Sequence, residues 1–189
     1  INTGTHCAPL NGYRNCSRCE PCEPGHYQPD ETFQNFCTAC SQGHAWNETG
    51  RNSTCPECIA GRAAIDENGD PVDTGAVDCR SCDGGRYSDK DGETTCSSCG
   101  EGHWSLIGSS ECIDCERGRY SNLPIASECS LCAAGSYQDG LQATSCIECS
   151  LGHASGNVTG RTTACPICLA GKFAADINGN PTNRSGIHC

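Results

Sequence analysis

The chain has 189 residues, and 21 of them are cysteine. With no Met, two Trp and three Phe, its apolar content is too thin to offset the ordering entropy of a compact core-built domain, so cross-links must supply the difference. The net charge of −11, with Lys only at 90 and 172, argues against nucleic acid and anionic membrane surfaces, and no apolar run approaches the ~20 residues of a membrane span.

Residues 1–18 read as an N-terminal segment that carries Cys7 and Cys16. No secretory leader is visible at Ile1, which suits a processed or partial chain. From Cys19 onward the chain is regular. Nine Cys-x-x-Cys pairs open at Cys19, Cys37, Cys55, Cys79, Cys96, Cys112, Cys129, Cys146 and Cys165. A Gly-x-aromatic or Gly-x-Ala triplet follows each pair after two or three residues, as in CERGRYSNLPIASECSLC at 115–132. The glycine permits a tight bend, the aromatic opens a short strand, and a polar Asp/Gly or Asn-Gly turn sends it back. No segment sustains a 3.6-residue apolar period. The predicted fold is therefore small and disulfide-rich. It is an elongated tandem array of short β-hairpin modules with little helix and no single hydrophobic core.

The spacing repeats at a second scale. Steps between successive pairs are 18, 18, 24, 17, 16 and 17, and from Cys129 they begin again at 17, 19 and 24. GHAWNETGRNSTCPECIAG at 43–61 matches GHASGNVTGRTTACPICLAG at 152–171, and AAIDENGDP at 63–71 matches AADINGNP at 174–181. A first 110-residue repeat is thus expected over 19–128, and a second, incomplete one over 129–189. In this register Cys189 matches Cys79, so a companion cysteine is expected beyond it. Asn68-Gly69 and Asn178-Gly179 turn the two long loops, which are expected to project as tall hairpins.

These peptide patterns resemble the ephrin-receptor-type cysteine-rich repeats and, more loosely, EGF-like and tumour-necrosis-factor-receptor modules. The resemblance runs from Cys19 through nearly the whole chain. Long arrays of such repeats are typical of protist surface proteins, including ciliate immobilisation antigens and flagellar-hair proteins. The insertions after Cys58 and Cys168, and the irregular spacing of Cys16, Cys19 and Cys22, depart from the pattern.

A bond within one Cys-x-x-Cys is sterically poor for a structural bridge, which leaves two regular schemes. In a ladder, the second Cys of one pair joins the first Cys of the next. In a crossed scheme, as in EGF-like modules, two adjacent pairs bond first to first and second to second. Crossed pairing gives Cys7–Cys16, Cys19–Cys37, Cys22–Cys40, Cys55–Cys79, Cys58–Cys82, Cys96–Cys112, Cys99–Cys115, Cys129–Cys146, Cys132–Cys149 and Cys165–Cys189. It leaves only Cys168 unpaired, where a cysteine beyond the end would serve, whereas the ladder leaves its orphan near the N-terminus. The end effects favour the crossed scheme, and the ladder stays open.

Several pairs approach a four-thiolate zinc spacing, but that site needs a reducing compartment. Five Asn-x-Ser/Thr sequons, at Asn15, Asn47, Asn52, Asn157 and Asn183, point instead to a secreted, N-glycosylated chain, with Asn47 and Asn157 at equivalent places. No α/β pattern accompanies the Cys-x-x-Cys pairs as thioredoxin chemistry would require. His26, His44, His103 and His153 all follow a Gly in one register, which reads as a repeated polar ring and not a catalytic set. Asp66-Glu67-Asn68-Gly69-Asp70 with Asp73 is oxygen-rich enough to raise calcium. Its Gly falls at the wrong place for an EF-hand, and the equivalent Asp176-Ile177-Asn178-Gly179-Asn180 has lost two acids, so a solvated turn is the simpler reading.

The expected object is a non-catalytic, extracellular structural glycoprotein without cofactor, part of a filament or cell-surface coat. Its partners would be copies of itself or other surface proteins. The alternative is a receptor ectodomain or adhesin whose module row binds a protein ligand.

Overall fold

The computed structural model describes residues 5–7, 19–29 and 36–189, with residues 5–7 and 19 as backbone only. Among these residues there is no helix, and every sheet is a two-stranded antiparallel pair. β1 (Thr5–Cys7) pairs with β2 (Cys19–Pro21), and β3 (His26–Tyr27) with β4 (Thr38–Ala39). β5 (Arg62–Ile65) pairs with β6 (Asp78–Ser81), and β7 (Arg86–Tyr87) with β8 (Ser97–Ser98). β9 (His103–Trp104) pairs with β10 (Ile113–Asp114), β11 (Arg119–Tyr120) with β12 (Ser130–Leu131), and β13 (Ser136–Tyr137) with β14 (Ile147–Glu148). The Gly-x-aromatic triplets open the first strand of most hairpins, and the residues inside the next Cys-x-x-Cys form the return strand, as the sequence pattern predicts.

The disulfides follow the ladder, which overturns the crossed scheme. The bridges are Cys22–Cys37, Cys40–Cys55, Cys58–Cys79, Cys82–Cys96, Cys99–Cys112, Cys115–Cys129, Cys132–Cys146, Cys149–Cys165 and Cys168–Cys189. Strand parity is the physical reason. The two residues between paired cysteines are strand, so Cys112 and Cys115, three apart, face opposite sides of β10. Cys112 closes the loop behind it and Cys115 opens the loop ahead. Crossed pairing would need both cysteines of a pair to face the same neighbour. Cys168 is therefore bonded and not an orphan, and Cys189 has its partner, so the pairing argument for a cysteine beyond it falls. The expected Cys19–Cys37 bond is replaced by Cys22–Cys37. The expected Cys7–Cys16 bond lies outside the described residues.

Successive loops are tied by a repeated set of backbone bonds. The N–H of each pair's second cysteine donates to the carbonyl of the glycine that opens the same hairpin: Cys40 to Gly25, Cys58 to Gly43, Cys99 to Gly85 and Cys115 to Gly102, all at 2.7–3.0 Å. The same cysteine's carbonyl then accepts from a left-handed residue one loop further on. Gly50 donates to Cys22, Gly75 to Cys40, Gly92 to Cys58, Gly108 to Cys82 and Gly160 to Cys132. Gln142 and Ser185 fill this role for Cys115 and Cys149, which explains why they alone among the described non-glycine residues have φ near +55° (56° and 54°). Seven hairpin-opening glycines, from Gly25 to Gly135, face the loop after next, whereas Gly152 and Gly171 have nothing within 4 Å. A Cβ on Gly25 would overlap the carbonyl oxygen of Gly75, and one on Gly102 would overlap that of Gln142. The loops that carry these seven glycines thus lean on the next and on the next but one.

By contacts the chain divides into two compact units, whose residues interleave in sequence between 84 and 112. The first is Ile1–Asp83, Tyr87–Ser97 and Ile107–Glu111; the second is Gly84–Arg86, Ser98–Leu106 and Cys112–Cys189. In the first, Ala45, Cys58, Ala64 and Ala76 form a small apolar cluster, with Val72 and Cys79 against it. The long loop 58–79 supplies most of this cluster by folding back. Ile65 bridges to Pro71, and Val72 donates to the carbonyl of Ala64. It is not the bare projecting hairpin expected from Asn68-Gly69. In the second unit, buried positions are held mainly by cystine, alanine and serine, with Ser105 fully covered.

Candidate functional site

The side chains singled out in the sequence divide into those the fold consumes and those it presents. The eighteen cysteines from Cys22 onward are bonded to one another, so their sulfurs are not available as thiolates. Among the described residues no group of three His, Cys, Asp or Glu side chains is placed to hold a metal ion.

The histidine register is a local staple. In all four cases Nδ1 lies within hydrogen-bond reach of the carbonyl two residues back: His26 to Pro24, His44 to Gln42, His103 to Glu101 and His153 to Leu151, at 2.8–3.2 Å. That contact holds the ring against the glycine turn, and His103 also sets its Nε2 3.3 Å from Asp114. At the same register Arg62 and Arg119 reach across their hairpins and donate to the carbonyls of Cys79 and Cys129. The position following the glycine thus braces the turn where it is His and crosses the hairpin at Arg62 and Arg119.

Asp66 closes the turn of the first long loop. Its Oδ1 accepts the N–H groups of Asn68 and Asp70, both at 2.9 Å. Asp176 accepts from Asn178 and Asn180 at the same distances. The backbone N–H of Asp70, and that of Asn180 in the second loop, hold these carboxyls below the usual range. The Asp66 and Asp176 carboxyls, which lead the two oxygen-rich stretches, are thus engaged in making the turn.

The sequons are presented to solvent. Asn47, Asn52, Asn157 and Asn183 are all exposed, while Asn15 lies outside the described residues. Beside the Asn52 sequon, Arg51 lies over the Trp46 ring at 3.9 Å and donates to the carbonyls of Ser53 and Thr54. Arg161, at the equivalent place in the second long repeat, donates to Thr163, Ala164 and Ser155. The sequence reading missed both arginines. Their signal was the repeated Thr-Gly-Arg at 49–51 and 159–161. It also missed the left-handed roles of Gln142 and Ser185, which no local motif announces.

One face of certain hairpins is apolar. Trp104 stands directly opposite Ile113, and Tyr137 opposite Ile147. The two isoleucines are each 44% exposed. In the hairpin between them Tyr120 stands opposite Ser130, and in the first, Tyr27 opposite Thr38.

Two-residue strands, one bridge per loop, and glycines packed on later loops define a tandem array of disulfide-laddered hairpins. Residues 118–164 match the family model described as tyrosine-protein kinase ephrin type A/B receptor-like. No curated protein matches the chain. The family match and the density of disulfides point to an extracellular or cell-surface protein. No helix among the described residues is long and apolar enough to cross a membrane.

Proposed function

We propose that this chain is a non-catalytic, N-glycosylated scaffold segment of an extracellular filament or cell-surface coat, assembling with copies of itself or with other surface proteins. The observation that carries the reading is the double tie of the loops that carry Gly25 to Gly135. A loop bonded to its neighbour and packed on the one beyond resists local opening without a hydrophobic core. Bridges of 13 to 21 residues add to this by limiting the unfolded chain, typically by about 2–4 kcal/mol each. Exposed sequons at 47, 52, 157 and 183, with the acidic surface, would keep the row solvated. Electron microscopy of native material, labelled with antibody to this chain, tests the reading. Continuous labelling of a coat, or of a filament with a regular axial repeat, is expected. Isolated monomers would sink it.

A second reading, a receptor or adhesin row that binds a protein ligand, is favoured by one observation. Large exposed apolar side chains concentrate in residues 98–189, from Leu106 to Ile177, and only Phe36 and Ile59 precede them among the described residues.

A further inference from the structure

We propose that the face made by Gly152 and residues 168–174 is a docking site for a hairpin loop of another protein chain, one closed by a disulfide and turned by Asp-Gly as loop 82–96 is. The inference rests on the scaffold reading and deepens it by naming what the segment would hold. The two long loops carry the argument. CIAGRAAI at 58–65 matches CLAGKFAA at 168–175, and both loops are closed by bridges of 21-residue separation. Inside, they fold alike. The N–H of Arg62 donates to the Ile59 carbonyl and that of Lys172 to Leu169, at 3.1 and 3.0 Å. Ile65 bridges to Pro71, and Ala175 to Pro181. Cys58 donates to Gly43, and Cys168 to Gly152, both at 2.8 Å.

Their surroundings differ. At the first long loop, the turn of loop 82–96 covers this face through a set of hydrogen bonds. The N–H of Ala60 donates to Asp91 Oδ1 at 2.7 Å, that of Gly61 to the Ser88 carbonyl at 2.8 Å and that of Ala64 to the Glu93 carbonyl at 3.1 Å. Gly92 donates back to the Cys58 carbonyl at 2.8 Å and lies on Gly43, whose added Cβ would overlap its backbone. At the second long loop, the N–H groups of Ala170, Gly171 and Ala174 have no acceptor among the described residues, and the Cys168 carbonyl has no donor among them. Gly152, which stands where Gly43 does, has nothing within 4 Å. Gly61 and Ala63 are buried, whereas their equivalents Gly171 and Phe173 are exposed. Backbone groups held in a fixed array recognise a partner by its main chain. The first long loop shows what that main chain is. It offers carbonyls at the places of Ser88 and Glu93, a carboxylate at that of Asp91, and a left-handed glycine after it, as Gly92 is at a φ of 74°. Loop 82–96 is itself engaged at the first long loop, so the occupant comes from a different protein.

The test adds a disulfide-closed peptide of residues 82–96 to the whole chain and follows binding and amide hydrogen exchange. One peptide should bind per chain, and the amides of Ala170, Gly171 and Ala174 should exchange more slowly. Those of Ala60, Gly61 and Ala64 should not respond, because the tethered loop already occupies that face. Gly152→Ala puts a methyl where the peptide's glycine would rest, and should weaken binding about tenfold or more. Leu169→Ser should leave binding unchanged, because the equivalent Ile59 stays 62% exposed with loop 82–96 in place. Two changes in the peptide leave the chain itself untouched. Asp91→Ala should weaken binding, and Gly92→Ala should weaken it more. No binding, indifference to the glycine substitutions on both sides, or slow exchange at Ala170, Gly171 and Ala174 before peptide is added would overturn the proposal. So would self-association that Gly152→Ala abolishes, because the occupant would then be a second copy. Filaments or coats seen in native material decide the scaffold reading separately, so the two can fail independently.

Discussion

Loop 58–79 and loop 99–112 carry the same kind of bridge, with Cα separations of 5.4 and 5.6 Å, yet they fill their interiors differently. The longer loop folds back on its own hairpin and buries Ala64 completely against Ala45, Ala76 and Cys58. The shorter one has no chain to spare. Its buried residue is Ser105, whose Oγ donates to the carbonyl of Arg86 at 2.8 Å, and its glycine lies on the backbone of Gln142. The longer loop supplies most of an apolar cluster that Ala45 of loop 40–55 completes, whereas the shorter one rests on its neighbours alone.

The largest effect should come from breaking the borrowed order. Gly102→Ala puts a methyl into the carbonyl of Gln142 at a φ of 77°, and should destabilise by more than about 3 kcal/mol and scramble the bridges around it. Gly152→Ala, at a φ of 74° with nothing within 4 Å of the added carbon, should cost only about 1 kcal/mol. Denaturant unfolding without reductant, with peptide mapping of both variants, would show whether they separate. Equal losses would mean that the close packing of loops on loops contributes nothing.

Removing bridges sharpens the comparison next. Chain entropy gives the Cys58–Cys79 and Cys99–Cys112 bridges about 2–4 kcal/mol each, with slightly more for the longer loop. Local opening should run the other way. With Cys99 and Cys112 both changed to Ser, limited proteolysis should cut between residues 100 and 111. With Cys58 and Cys79 changed, the alanine cluster should still slow cleavage in its loop. Faster cutting in the long loop would break the contrast.

Smaller effects test the two interiors directly. Ala64→Leu should overfill the long loop and cost about 1–3 kcal/mol. Ser105→Ala should cost about 1 kcal/mol, since it leaves the Arg86 carbonyl without this donor. Thermal melts would rank the two, and a silent Ala64→Leu would mean that the cluster is looser than its burial implies.

The smallest expected change concerns acid. Asp66 and Asp176 have carboxyls held below their unfolded values, so they stabilise the folded chain above the ordinary carboxylate range, and that contribution fades as the pH falls through their folded values. Asp66→Asn should flatten the acid limb of stability against pH while leaving the neutral fold in place. A melt series below pH 5 that matches the wild-type chain would remove Asp66 from the list of stabilising groups.

Much of the hairpin frame was legible in sequence. Gly-x-aromatic after each cysteine pair marked where strands open, because a left-handed glycine turn must precede a short strand that buries an aromatic stem. The pairing is harder to read, because orphan cysteines at the ends favour the crossed scheme whereas the parity of residues three apart in a strand dictates the ladder. The back-folded long loop was not legible from Asn68-Gly69. A turn motif fixes where the chain reverses but not what the returning segment packs against. The sequons were fully legible as a motif, but the clamp of Arg51 on Trp46 depends on side chains meeting in space.

The sequence by itself determined that this is a disulfide-rich tandem array of small hairpins, because cysteine spacing and glycine placement act locally and recur at every module, whereas the ladder pairing came from the structure. Only the tertiary structure decided which loops touch and which glycines cannot change. It also decided which residues stand opposite across a hairpin, as Trp104 and Ile113 do and Tyr137 and Ile147 do. The loop contacts and the fixed glycines depend on packing between a loop and the one beyond its neighbour, a separation at which local chemistry carries no instruction.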